Sequence, residues 1–281
     1  MMWDDELDVV CCGSGSGALA AAIAAADADL DVDIARGTRP SAGPSGSAAP
    51  WLGRGIDDPE TREYLDELVA DQDPSLKDSG DTDIEVRTLR RLSPASPRTP
   101  VATFRGADLR DWAGQCLRSP YGLLYTRLTE RGGMPMETDA GEIIEAKVLG
   151  SIGIAAGAVA SAAVNDWLLT QVRERDIPSF DDTALERIVF EEGEIVGVVL
   201  TTPSGSRNVR VRHGVAMSTD VGTAGAETTR RFETAQTLRV ALVGRGASRF
   251  SRVELLTTSP DGRRADLALG DGEPRSHARS S

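Results

Sequence analysis

The apolar positions of this chain fall into short runs punctuated by glycine, and the first of them is the most informative. Leu7 to Cys12 is mostly apolar and centred on Val9 and Val10, the pattern of a strand buried on both faces of a parallel sheet. It ends at Gly13. The run Gly13-Ser14-Gly15-Ser16-Gly17-Ala18 then opens an alanine-rich stretch through Ala28, with Leu19 and Ile23 at helical spacing, and Val32 and Ile34 alternate like a second strand. Strand, glycine loop, helix and strand within about thirty residues is the length of a dinucleotide-binding βαβ unit.

Later patterns are less regular. Ile188 and Phe190, then Ile195, Val196, Val198 and Val199, flank the polar turn Glu191-Glu192-Gly193-Glu194, which reads as a hairpin; Pro203-Ser204-Gly205-Ser206 gives another turn, so three strands follow in succession. Trp167 to Arg175 reads as an amphipathic helix. Thr237 to Val243 and Val253 to Thr258 read as a second hairpin around Gly244-Arg245-Gly246, with no nucleotide site there. Leu109 to Arg131 has helical tendencies, with Tyr121 and Tyr125 placed one turn apart to pack a helix face. Ile143 to Asn165, with Gly150, Gly153 and Gly157, reads as a buried helix or a flexible interior segment; without a Lys-Ser/Thr after its glycines it is not a phosphate loop. These patterns divide the chain into a dinucleotide-binding unit over 1–70, a polar insertion over 71–135 punctuated by Pro74, Pro94, Pro97 and Pro100, and a second part of the core over 136–260. A polar tail, expected to be disordered, occupies 261–281.

The chemistry of the first loop follows from its geometry. A diphosphate needs backbone N–H donors at a helix N-terminus, where amides are unpaired and the peptide dipoles favour negative charge. Gly13 allows the tight turn, Gly15 lets the backbone approach the phosphates, and Ala18 is small enough for helix and strand to pack closely. A carboxylate for the adenosine ribose is expected about twenty residues on. Ala35 and Arg36 stand there instead, with Asp33 two residues earlier on the face of Ala35.

Composition narrows the partners. The 281 residues suffice for a sizeable core, and 40% of them are hydrophobic but only 4% aromatic, so that core must be aliphatic and alanine-rich. With 31 Lys+Arg against 44 Asp+Glu the net charge is 31 − 44 = −13, which repels phosphodiester backbones and anionic headgroups; nucleic acid is excluded as a general partner. Cys11, Cys12 and Cys116 include no C-x-x-C pair, so they read as reduced thiols and structural zinc is excluded; Cys12, beside the loop, reads as packing. His213 and His277 have no nucleophile partner, which removes triad hydrolysis. The acidic start and the lack of a membrane-length apolar run predict a cytoplasmic protein.

The stretch from Asp8 to Ala35, followed by Gly37 to Trp51 with its Ser45-Gly46-Ser47-Ala48-Ala49-Pro50-Trp51 end, resembles the opening of the fumarate reductase and 3-ketosteroid dehydrogenase flavoproteins. Those open with strand, G-S-G-x-G, helix, strand and Glu-Lys, then a Gly/Ser/Ala-rich loop reaching an aromatic residue. Gly55 to Glu60, running into a helix with Tyr64 and Leu68, looks like the continuation. Thr183 to Val199 resembles the family's β-meander, and Arg210 to Thr219 its strand ending in Ala-Thr-Gly-Gly, here Ser218-Thr219-Asp220-Val221. The matched stretches cover about half the chain, and no counterpart is found of the family's C-terminal glycine-rich segment over the flavin.

The resemblance implies an α/β, Rossmann-like FAD-binding fold with a parallel sheet and a small β-meander. It implies FAD as cofactor, with the diphosphate over Gly13, Ser14, Gly15, Ser16, Gly17 and Ala18, and the adenosine toward Asp33, Ala35, Arg36 and Ala184. The flavin ring would lie near Ser45, Gly46, Ser47 and Thr219. The activity implied is oxidation or reduction next to a carbonyl of a small molecule, steroid or dicarboxylate, with acid and base residues unassigned. Because three cofactor-facing positions depart from the family, a non-catalytic scaffold is the rival expectation, and a binder of another nucleotide such as NAD a third.

Overall fold

The computed structural model describes residues 2–37, 55–70, 83–92, 106–127, 133–219, 230–246 and 248–258. The apolar run of the N-terminus forms most of β1 (Asp5–Cys12), the glycine loop opens α1 (Ser16–Ala26), and the chain returns through β2 (Val32–Ala35), parallel to β1 with Cys12 opposite Ala35. On the other edge of β1 runs β10 (Gly205–Ser218), also parallel, with Cys12 opposite Met217. A two-residue strand, β7 (Ser179–Phe180), adds to β2 in the same sense. The order β7-β2-β1-β10 is the Rossmann-like core expected from the sequence.

The meander is also present. Strands β8 (Ala184–Glu191), β9 (Glu194–Thr202) and β10 pair antiparallel in succession. The second predicted hairpin forms as β11 (Gln236–Gly244) and β12 (Phe250–Thr258). From β10 the same sheet continues through β4 (Gly122–Tyr125), β12 and β11 to β6 (Ile143–Ile154) and β5 (Met134–Glu137), each antiparallel to the next. With β3 (Val86–Leu89) alongside β12 the sheet has twelve strands among the described residues and is more mixed than the sequence suggested.

Two segments differ from the expectation. Residues 143–154 are a strand because buried and exposed positions alternate there, and of the glycines that suggested a helix Gly150 makes room for a neighbour, since a Cβ there would come within 2.7 Å of the Trp167 ring on α4 (Ala160–Glu174). Helix α3 (Gly106–Arg118) stops at Ser119-Pro120, because proline cannot continue the helical hydrogen-bond pattern, and Tyr121 and Tyr125 flank the start and end of β4 rather than sharing a helix face. Residues 83–92 and 106–127 thus contribute β3 and β4 to the common sheet and α3, which packs on β12 and β4.

Period-two alternation sorts the core into two layers. Cys11, Ile34, Leu123, Ala216, Val240, Leu242 and Leu255 face α1 and α4. Val10, Cys12, Ala35, Leu124, Val215, Ala241 and Leu256 face the meander, α3 and α2 (Pro59–Val69). Helix α1 has no polar stripe; Ser16 through Ala25 are all buried, and its alanines let it lie close to strand and helix neighbours on every side. Helix α2 is fixed by its N-cap, where Asp58 accepts from the Thr61 amide at 2.9 Å, while the Thr61 hydroxyl accepts from the Ile188 amide of β8 at 2.9 Å.

A charged cluster is buried at the far half of the sheet. The Glu254 carboxylate, wholly inaccessible, accepts from Arg87 Nε at 2.7 Å and Nη2 at 3.0 Å and from Arg252 Nε at 2.7 Å. Arg87 also reaches Glu142 at 2.9 Å, and Arg245 pairs with the other oxygen of Glu142. Arg245 and Arg252 lie over the Trp112 ring of α3, 5.4 and 5.2 Å from its centroid.

Candidate functional site

The carboxyl ends of β1, β2 and β10 converge on the glycine loop. The Gly13 amide donates to the Ala35 carbonyl at 2.8 Å, tying the loop to the end of β2. Gly13 has a φ of +109°, and a Cβ there would lie 2.9 Å from Cβ of Ser218, so both backbone conformation and space require glycine. Gly15 is the N-cap of α1 in an extended conformation; no side chain caps the helix and no acidic residue occupies its first turn. Among the described residues nothing accepts from the amides of Ser14, Gly15, Ser16 or Gly17, and the last three of these residues are buried. A helix start with free donors and an uncompensated dipole is a binding site for an anion.

Close packing around this turn is made by glycines. A Cβ on Gly17 would overlap the carbonyl oxygen of Gly122 at the start of β4, and one on Gly122 would overlap the Cys116 carbonyl and the Thr219 hydroxyl. A close approach of helix and strand is made at Gly17, and Ala18, to which the sequence assigns such packing, is fully buried beside it. Thr219 is turned inward: its amide donates to the Gly122 carbonyl at 3.1 Å, and its hydroxyl lies 3.1 Å from the carbonyls of both Cys116 and Ser119. The thiols beside the loop are held protonated, that of Cys12 pushed up to about 12 by burial and that of Cys11 well above the ordinary range by burial and by neighbouring Cys12 and Asp33.

At the end of β2, Ala35 is buried and brings no carboxylate. Asp33 shares its face, as alternation implies, but accepts from Arg207 Nη1 at 3.0 Å, while the same guanidinium binds Asp5 at 2.7 Å. Burial pushes the Asp33 carboxyl up, Arg207 opposes this and Asp5 adds to it, leaving it above the usual range. Arg36 Nη1 pairs with Asp181 Oδ1 at 2.8 Å, its amide donates to the Phe180 carbonyl at 2.9 Å, and its Nε is buried without a partner among the described residues. The next amide, Gly37, donates to the Thr183 carbonyl at 2.8 Å, which brings Ala184 at the start of β8 to the same end of the sheet. The structure thus gathers Gly13 to Ala18 with Ala35 and Thr219, and beside them Arg36 with Ala184. Ser45, Gly46 and Ser47 lie outside the described residues, as do Asp220 and Val221. Sequence reasoning did not single out Gly122 or Asp181; the Pro120-Tyr121-Gly122 turn signal was available for the first, and nothing local marks the second.

A family model described as FAD binding domain matches residues 8–243. The chain belongs to this family. FAD is accordingly its cofactor, and the residues present fit its diphosphate in their donor set, the amides of Ser14 to Gly17 at a helix start, unclaimed among the described residues. No curated protein matches the chain. Among solved structures it is similar to a flavocytochrome c3 fumarate reductase in an open conformation, at 13% identity over 76% of this chain and 33% of that one, with a TM-score of 0.31. It is similar also to the 3-ketosteroid-Δ4-(5α)-dehydrogenase of Rhodococcus jostii RHA1, at 16% identity over 76% and 46%, with a TM-score of 0.31. The 3-ketosteroid Δ1-dehydrogenase of Sterolibacterium denitrificans matches at 15% identity over 75% and 47%, with a TM-score of 0.32. The chain spans less than half the length of each of these structures. No helix among the described residues is long and apolar enough to cross a membrane.

Proposed function

We propose that this chain is the cofactor-holding part of an FAD-dependent oxidoreductase acting on a small molecule next to a carbonyl, a ketosteroid or a dicarboxylate. The observation that carries the reading is the set of amides from Ser14 to Gly17, free among the described residues, at the start of a helix with no acidic first turn. When bound, FAD supplies hydride and electron transfer, and the protein supplies position and electrostatics. Here Ser14 to Gly17 bind the diphosphate, Gly17 and Gly122 set the distance between α1 and β4, and the end of β2 and the start of β8 receive the adenosine. The flavin ring is assigned to Ser45, Gly46, Ser47 and the neighbourhood of Thr219, and the working location is the cytoplasm.

The loss of the ribose carboxylate at Ala35, with Asp33 tied to Arg207, favours a second reading, a scaffold that no longer takes up flavin. Purification decides between them. Yellow protein that releases an FAD spectrum on denaturation supports the enzyme. So does colourless protein that gains about 5–10 °C in Tm at FAD a hundredfold over Kd, as expected from about 2.7 kcal/mol of linked stabilisation. Colourless protein with no shift leaves the scaffold.

A further inference from the structure

We propose that Asp181 supplies the carboxylate for the adenosine ribose that β2 lacks. The inference rests on the FAD reading above and concerns one subsite of it. In a dinucleotide-binding βαβ unit the strand after the glycine helix ends in an acid that accepts hydrogen bonds from the ribose hydroxyls. In this chain that place is Ala35, and the acid on the same strand, Asp33, is nearly inaccessible and spends its charge on Arg207.

The neighbouring strand restores the group from outside. β7 pairs with β2 so that Phe180 stands opposite Ala35, and Asp181 follows directly at the carboxyl edge of the sheet. Arg36, the residue after Ala35, grips Asp181 Oδ1 at 2.8 Å while its own amide donates to the Phe180 carbonyl. Backbone and side chain of one residue thus fix the Asp181 carboxylate at the end of β2. The Asp181 side chain is 82% exposed, and its second oxygen has no partner among the described residues. It is a free acceptor beside the strand end that also holds Gly13. Asp182 turns elsewhere, lining a depression with Asp4, Ser206 and Arg207.

The test uses ADP and 2′,3′-dideoxy-ADP as competitors of FAD on the full chain, and reads the ratio of their affinities. That ratio isolates the ribose hydroxyls and is insensitive to general loss of stability. In the wild-type protein ADP should bind roughly 10- to 100-fold more tightly, the size of a hydrogen bond to a charged group. Asp181→Asn should bring the ratio near one, while Asp33→Asn and Asp182→Asn should leave it at the wild-type value. A ratio unchanged by Asp181→Asn, a ratio already near one in the wild type, or a collapse with Asp33→Asn would each overturn the assignment. Wild-type protein that takes up neither FAD nor ADP would instead overturn the FAD reading itself, and this assignment with it.

Discussion

Replacing Glu254 by glutamine removes one negative charge from a buried cluster of three arginines and two glutamates. The variant keeps the shape of the side chain and one acceptor oxygen but leaves Arg252 beside the Trp112 ring without a carboxylate partner, and Arg87 with the charges of Glu85 and of Glu142, which Arg245 also shares. Breaking a buried ion pair from one side costs about 3–5 kcal/mol, because the partner charge stays desolvated. Against a total stability of about 5–15 kcal/mol that is roughly a fifth or more of what holds the fold. In urea the midpoint should fall by about 1–2 M with the slope unchanged.

Acid titration gives a second reading of the same cluster. Burial pushes the Glu254 carboxyl up, but the hydrogen bonds and charges of Arg87 and Arg252 outweigh it and hold the group below its ordinary value of 4.5. A carboxylate with a depressed folded pKa contributes stability that is complete above the unfolded pKa and is lost as pH falls through the folded one. Wild-type protein should therefore lose this contribution below about pH 4.5, and Glu254→Gln should show a flatter acid limb. A midpoint shift under about 0.3 M, or acid limbs that superimpose, would refute the view that this cluster carries the far half of the sheet.

Two further outcomes concern the loop. Gly15→Val should abolish flavin uptake, read by equilibrium dialysis, because the side chain stands between the amides and the phosphates; undiminished uptake would place the diphosphate elsewhere. Native protein at pH 8 should resist alkylation at Cys11 and Cys12 and react there only after unfolding, since burial holds both thiols protonated. Rapid native labelling, read by mass spectrometry, would show that the strand under the loop opens.

The first βαβ unit was legible because its signals are local. A glycine at positive φ, a strand buried on both faces and an alanine helix each leave a pattern within a dozen residues. The meander was legible for the same reason, through Gly193 and the Pro203-to-Ser206 turn. The rest depends on neighbours distant in sequence. Gly150 looks like part of a buried helix until Trp167 of α4 is placed above the strand that carries it, and Pro120 breaks the helical run at a point that apolar spacing alone does not mark. Asp33 looked available to a ribose because Arg207, far along the chain, could not be seen to claim it. Asp181 carried no signal, since its meaning comes from β7 lying beside β2.

The helix that follows the glycine loop has no side that water could wet. Its apolar surface is matched by β1 and β2 nearby, but also by β4, α4, β10 and β12, the last of these ending at Thr258. A ribosome therefore completes the letters of the nucleotide motif long before the chain can hold them in place. Aiming those amides is a late, collective event, and a fragment that stops after the first two strands would display the fingerprint without the grip.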